Sequence, residues 1–322
     1  MAITGIASVL FGARDMATMQ RFLADWGLRK VSGGKTSAVY ETAVGSTVVV
    51  KPEGARGLPA PLNPDGGFRE VTFGLPTMRE LDALARKLGN GNAVRRDRDG
   101  TIRTQDPNGI NLAFTVWKPR PVKTRRAPVN DIGKRERIDR PSVMYDRGLP
   151  LRMGHVVFQM PEIAEAEKFY RDRLGFRLSD RYAEGRAVFL RYAPASDHHN
   201  MLFIKSDAGR KELNHIAFEV RDIHEVFGGG LAMSRKVWNT SVGPGRHPIS
   251  SAYFWYFVNP CGGAFEYFAD SDYVTDKWKP SVFKDSRFSE WHVPNGVGDS
   301  RGPAMMAVHE ADRRLDLGRP AD

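Results

Sequence analysis

Three residues have the most chemistry to offer: His155 in Gly-His-Val-Val-Phe, His215 in Asn-His-Ile-Ala-Phe-Glu-Val, and Glu266 in Phe-Glu-Tyr-Phe. Each sits in a short run of alternating apolar and polar residues, the pattern of a β-strand with one face turned inward. Sixty residues separate the two histidines and 51 separate His215 from Glu266. The three therefore come from different strands, and no closely spaced zinc-type pairing is present. Two imidazoles and one carboxylate form the facial set that suits non-haem Fe(II) and leaves coordination positions open for a substrate and dioxygen. Mn(II) is the second choice, since these ligands do not discriminate it from iron. A chain with eight histidines offers such triples by chance, so flanking residues must carry part of the argument. Gly245-Arg246-His247 leads through Pro-Ile-Ser-Ser-Ala-Tyr-Phe-Trp to Tyr256, then through Asn259-Pro-Cys-Gly-Gly263 to Glu266; earlier, Asp197-His198-His199-Asn200 opens the apolar run Met-Leu-Phe-Ile.

In this order and context the residues resemble the type I extradiol ring-cleavage dioxygenases of the vicinal oxygen chelate (glyoxalase–bleomycin resistance–dioxygenase) superfamily, which include the catechol 2,3-dioxygenases. The shared pattern is His in Gly-His-Val, His in His-(Ile/Val)-Ala-Phe, Gly-Arg-His with a Tyr nine residues on, and Glu shortly after an Asp-Pro-x-Gly-type turn; here these are His155, His215, His247, Tyr256 and Glu266. The resemblance is strong over residues 150–270 and looser, through internal repeats, over the rest. It implies that His155, His215 and Glu266 hold Fe(II), with dioxygen as co-substrate and a catechol-type aromatic ring as substrate, cleaved beside one hydroxyl. It also implies that His199 is an acid/base, an imidazole being able to move a proton near neutrality. His198, adjacent to it, would face the other way on a strand. His247 and Tyr256 would donate hydrogen bonds to the bound catecholate or oxygen species. The family often has Asp after the acid/base histidine; Asn200 stands here and could alter the orientation of that ring. Members are usually homo-oligomers. Two rival readings are another metal-dependent enzyme of this scaffold, a lyase or isomerase, and a non-enzymatic small-molecule-binding protein. The first does not call for His199, His247 and Tyr256 together, and the second does not call for an intact triad.

The elements that must position these groups read as an α+β fold of four βαβββ modules paired into two domains. Asp106-Pro-Asn-Gly109 with Ala113 resembles Asn259-Pro-Cys-Gly262 with Glu266, Glu70-Val-Thr-Phe resembles His215-Ile-Ala-Phe, and Gly5-Ile6 resembles Gly154-His155. The first half is thus a second copy in which Ile6, Glu70 and Ala113 replace the ligands, so it cannot build the same site. The expected divisions are 1–117, a non-catalytic domain; 118–148, a basic Pro-containing linker; 149–270, the iron-binding domain; and 271–322, a tail. Asp15, Thr77 and Asp222 are expected helix N-caps. Gly228-Gly-Gly230 weakens the last helix by about 1 kcal/mol per residue relative to Ala. After Ala269 the alternation fades, and Trp278, Phe283, Phe288 and Trp291 read as anchors of an irregular tail, either a lid or surface packing; the last twenty residues, with His309, read as polar and solvated. His224 and His292 read as packing or surface residues.

Composition sets the limits. At 322 residues and 41% hydrophobic content, two cores can form. No apolar run approaches the ~20 residues of a membrane span, and Ile3–Ala13 reads as a first strand rather than a signal peptide. One cysteine, Cys261, excludes an intrachain disulfide framework and fits a reducing cytoplasm; it reads as a buried structural thiol. The net charge of +10 is concentrated in Lys118–Arg140, a Pro-punctuated run that reads as solvated linker. No nucleic-acid or membrane partner is expected, only a mild pull on anionic substrates. Arg191 and Lys205 each remain open as carboxylate contacts or solvent-facing cations.

Overall fold

The computed structural model describes residues 3–297, apart from 286 and 295. In the first half, β1 (Gly5–Ala13), α1 (Met16–Asp25), β2 (Arg29–Gly33), β3 (Ala38–Glu41) and β4 (Thr47–Pro52) are followed by β5 (Phe68–Leu75), α2 (Met78–Gly89), β6 (Arg95–Arg96), β7 (Ile102–Gln105) and β8 (Asn111–Val116). The helices start where short polar side chains satisfy their free N–H groups: the Asp15 carboxylate accepts from Ala17 and Thr18, and the Thr77 hydroxyl from Glu80. Helix α2 buries Leu81, Leu84 and Leu88, one face of a 3.6-residue period.

A small ribbon, β9 (Asn130–Asp131) and β10 (Lys134–Arg135), lies in the basic linker. The second half repeats the first. It runs β11 (Arg152–Met160), α3 (Ala164–Lys168) with a wide turn Phe169–Arg173, β12 (Arg177–Tyr182), β13 (Ala187–Arg191), β14 (Ser196–Asp197) and β15 (Met201–Lys205). Then come β16 (Glu212–Glu219), α4 (Ile223–Arg235), β17 (Thr240–Arg246), β18 (Tyr253–Val258) and β19 (Ala264–Ala269), with tail strands β20 (Tyr273–Val274), β21 (Ser281–Phe283) and β22 (Trp291–His292). The sheets are ordered β2-β3-β4-β1-β5-β8-β7-β6 and β21-β12-β13-β15-β11-β16-β19-β18-β17-β22. Without its two end strands the second order is the first, module for module, so the expected four βαβββ units are present.

The two halves share one core. Trp26 stacks on Tyr267 at 3.7 Å and 4°, and the Tyr267 hydroxyl donates to the Trp26 carbonyl at 2.7 Å. The glycines of α4 are buried where backbone must approach closely: a Cβ on Gly230 would land on the Trp255 ring, and one on Gly229 would lie 3.0 Å from Gly148.

Two expectations need correction. In the first half Ile6 pairs with Phe73 and, after a bulge, Ser8 with Thr72; in the second, Met153 pairs with Phe218 and, after a bulge, His155 with Ala217. Ser8, not Ile6, therefore occupies the position of His155. A two-residue slip leaves every side chain on its own face, so alternation alone could not detect it. Strand β2 completes the first module at the sheet edge with all five residues exposed, so no apolar period marks it in the sequence. The tail is not irregular throughout: β21 pairs with β12 and β22 with β17, so it bridges both ends of the ten-stranded sheet. Residues beyond 297, including His309 and the expected polar terminus, lie outside the described residues. Among the described residues no helix is long and apolar enough to cross a membrane.

Candidate metal centre and its cavity

The central strands β11, β16 and β19 bring the three expected ligands together. Ala217 pairs with His155 on one side and Glu266 on the other, and Glu266 pairs onward with Tyr256. These four side chains form one row on one sheet face, and His215, two residues from Ala217, joins the same face. The small Ala217 leaves the centre of the row open. His155 Nε2 lies 3.2 Å from His215 Nε2 and 3.1 Å from Glu266 Oε2, and His215 Nε2 lies 3.3 Å from the same oxygen. All three residues are buried, Glu266 to 1% exposure.

The donor set fits a divalent ion. N and O donors about 2.0–2.2 Å from an ion stand roughly 3 Å apart when adjacent, as these do. The Asn214 side-chain oxygen accepts from His215 Nδ1 at 2.7 Å, which leaves the Nε2 lone pair free, the outer hydrogen bond usual for a ligating imidazole. Burial holds His215 down to about 4, so the ring is neutral at pH 7, as a ligand must be. Burial pushes the Glu266 carboxyl up, but the three imidazoles around it, His155, His215 and His247, outweigh burial and hold it well below the usual carboxylate range.

A cavity of about 400 Å³ opens over this face, lined by His155 and His215 and also by His199, His247 and Tyr256. Phe189, Leu202, Ile249 and Phe288 supply apolar wall, and Arg186, Lys205 and Arg287 supply positive charge. The His199 ring stands 4.2 Å from that of His155 and packs against Phe189. Burial, then the neighbouring His155 and His198, hold its pKa well below the ordinary histidine value. His247 Nδ1 donates to the Phe288 carbonyl at 2.7 Å, so in the neutral ring Nε2 accepts from the Tyr256 hydroxyl at 3.0 Å. A protonated His247 would also donate from Nε2, towards Glu266 Oε1 at 3.6 Å.

Sequence reasoning left several contributors unseen. His198 does face away from the cavity, but it is bonded to Asp180, a residue that had no distinguishing context in its strand. Asn200 does not bond to His199. Its amide donates to the Gly154 carbonyl at 3.0 Å, and its oxygen accepts from the Tyr192 N–H and the Ser196 hydroxyl; a carboxylate there could not donate to Gly154. Arg191 is buried and bonded to the Leu178 and Thr275 carbonyls, whereas Lys205 lines the cavity. Burial pushes the Cys261 thiol up to about 12, in keeping with an inert structural role. His224 is half-buried, and His292 is exposed with its Nδ1 2.6 Å from the Ser289 hydroxyl.

Residues 152–267 match the Glyoxalase/Bleomycin resistance protein/Dioxygenase superfamily. This segment belongs to that superfamily. Metapyrocatechase 2 of Cupriavidus necator is 36% identical over 174 residues, covering 52% of this chain and 52% of that protein. 3-Methylcatechol 2,3-dioxygenase of Pseudomonas putida is 29% identical over 152 residues, covering 45% of this chain and 49% of that protein. The chain thus spans about half the length of the curated relatives it matches. Solved structures extend the fold of the superfamily segment to nearly the whole chain. A Mn(II)-bound glyoxalase from Novosphingobium aromaticivorans aligns with TM-score 0.71 at 21% identity, covering 92% of both chains. BphC, a halotolerant catechol dioxygenase, aligns with TM-score 0.70 at 19% identity, covering 93% of this chain and 97% of that one. The architecture is the vicinal oxygen chelate fold.

Proposed function

We propose that the protein is an Fe(II)-dependent extradiol dioxygenase that opens a catechol-type aromatic ring, with His155, His215 and Glu266 as metal ligands. The observation that carries this reading is the convergence of that ligand set with His199, His247 and Tyr256 on one cavity. Its volume of about 400 Å³ suits a single substituted ring. The names of the relatives, metapyrocatechase and 3-methylcatechol 2,3-dioxygenase, support the same substrate class.

Bound ferrous iron would supply positive charge and electron density to oxygen ligands, which free organic substrates and dioxygen cannot exchange readily on their own. The chain's own side chains do the rest. Phe189, Leu202 and Ile249 give the ring an apolar bed that excludes water. A neutral His199 accepts a proton from a substrate hydroxyl and returns it later in turnover. Tyr256 and His247 share a hydrogen bond that a substrate oxygen can enter, fixing the ring's orientation. Lys205, Arg186 and Arg287 favour anionic substrates at the outer wall.

In the same proposal residues 149–270 are the catalytic unit, residues 1–117 are a structural copy, and the tail around Phe288 is a lid. A single buried thiol fits the reducing cytoplasm, and a homo-oligomer is the expected assembly. The test is to equilibrate the protein with Fe(II) or with Mn(II) under anaerobic conditions, add a panel of catechols, and admit air. A yellow ring-opened product with ferrous protein supports the reading. Stoichiometric iron binding with no product from any catechol contradicts it, and favours a lyase, an isomerase or a binding protein.

A further inference from the structure

We propose that Asp180 and His198 are positioning residues that set the tautomer of His199 and thereby aim an unprotonated Nε2 into the cavity. The inference rests on the reading of His199 as the base, but its structural part can be tested without turnover. Asp180 and His198 are 1% and 0% exposed. Asp180 Oδ2 lies 2.6 Å from His198 Nε2, and His198 Nδ1 lies 3.2 Å from His199 Nδ1. Asp180 Oδ1 accepts the Ser281 N–H of the tail at 2.6 Å, and the His198 N–H donates to the Asp272 carbonyl at 2.7 Å. The side chain and backbone of His198 are both held.

The proton positions follow from this geometry. A carboxylate can only accept, so His198 carries its proton on Nε2. In the proposal His198 is neutral, so its lone pair is on Nδ1. Two ring nitrogens 3.2 Å apart need one proton between them, so His199 supplies it from its own Nδ1. A neutral His199 is left with its lone pair on Nε2, the nitrogen available to the cavity that the ring lines. When Nε2 takes a proton from a substrate hydroxyl, His199 becomes an imidazolium whose Nδ1–H still points at a neutral imidazole polarised by Asp180. No further reactant is needed, and return of the proton restores the starting state.

D180N reverses the logic while keeping an oxygen for the Ser281 N–H. Its amide donates to His198 Nε2, His198 then carries its proton on Nδ1, and His199 must accept at Nδ1 and hold its own proton on Nε2. An aspartate-to-asparagine change that imposes the wrong histidine tautomer costs about 10⁴ in kcat in a protease triad. With one more link in the chain, a loss of roughly 10²–10³ in kcat is expected, with KM within about threefold and iron content unchanged.

The deciding measurement is the ring ¹⁵N spectrum of the metal-free protein, with His199 assigned by comparison with H199Q. Wild-type His199 is expected as the Nδ1–H tautomer and D180N as the Nε2–H tautomer. Wild-type protein with His199 protonated on Nε2 overturns the proposal, whether or not the variant folds. So does a D180N spectrum with the tautomer unchanged. The expected tautomers together with no ring cleavage by the wild type would uphold the chain and overturn the dioxygenase reading instead.

Discussion

Arg103 stands in the N-terminal sheet where Tyr256 stands in the C-terminal one. Arg103 pairs across β7 and β8 with Ala113, as Tyr256 pairs across β18 and β19 with Glu266. Glu70, in the place of His215, forms an ion pair with Arg103. The first half thus fills its ligand positions with Ser8, Glu70 and Ala113 and closes them with an internal ion pair, where the second half leaves room for a cation.

Removing Arg103 should therefore affect stability and not metal. Glu70 is buried, while the Arg103 side chain is 27% exposed. R103A strands the buried Glu70 carboxylate and also releases Asp97, 2.7 Å from the Arg103 Nε, at an expected cost of about 1–3 kcal/mol for a pair that is partly screened by solvent. The doubly apolar E70L/R103L should recover most of that. Thermal melts give the stability, and elemental analysis should give the same iron per chain in all three proteins. Loss of iron in R103A would mean that the first half contributes to the site.

A pH effect is expected at the turn Asp106–Gly109. Burial pushes the Asp106 carboxyl up to about 6 against opposing backbone N–H bonds from Ile110 and Asn108, above its ordinary range near 4. The folded protein then holds this proton more tightly than the unfolded chain. The resulting stabilisation is fully present below about pH 4 and lost as pH rises through 6. D106N keeps the oxygen that accepts from Asn108 and Ile110, as Asn259 accepts from the Cys261 N–H in the matching turn. The variant should melt a few degrees above wild type at pH 7.5, with the advantage shrinking towards pH 4.5. An advantage independent of pH would contradict the assignment.

Helix propensity and packing give opposite signs for G230A. Propensity favours Ala by about 1 kcal/mol, but the added methyl would meet Trp255, and overpacking costs roughly 1–3 kcal/mol. A lower melting temperature is expected; a higher one would show that α4 can move away from β18.

The tail makes its own contribution. Phe288 packs on His247 at 5.1 Å between ring centroids and on Phe254 at 5.2 Å, while its carbonyl holds His247. F288A keeps the carbonyl and removes cavity wall. Steady-state kinetics should show KM raised about three- to tenfold with kcat within about threefold. An unchanged KM would remove Phe288 from the substrate's surroundings.

Much of this site was legible because its residues carry local context. His155, His215, His247, Tyr256 and Glu266 each stand in a recognisable run, and Asp15, Thr77 and Asp222 cap helices through bonds to residues two or three positions on. The illegible parts depend on distance. Asp180 meets His198 across 18 residues and the tail's Ser281 across 101, and nothing near Asp180 in sequence marks either meeting. Ile6 stands in for Ser8 in the sequence reading because a slip of two preserves a strand's facing. The α4 glycines looked like a weakness because propensity does not see Trp255.

The most direct test compares dioxygen uptake by wild-type protein and E266A, both reconstituted anaerobically with ferrous iron and given the catechol that the wild type turns over fastest. The expected result is one dioxygen consumed per ring opened by the wild type, and a loss of at least about 10³-fold in E266A, with its iron lost on desalting. Turnover by E266A at the wild-type rate, with iron retained, would contradict the account.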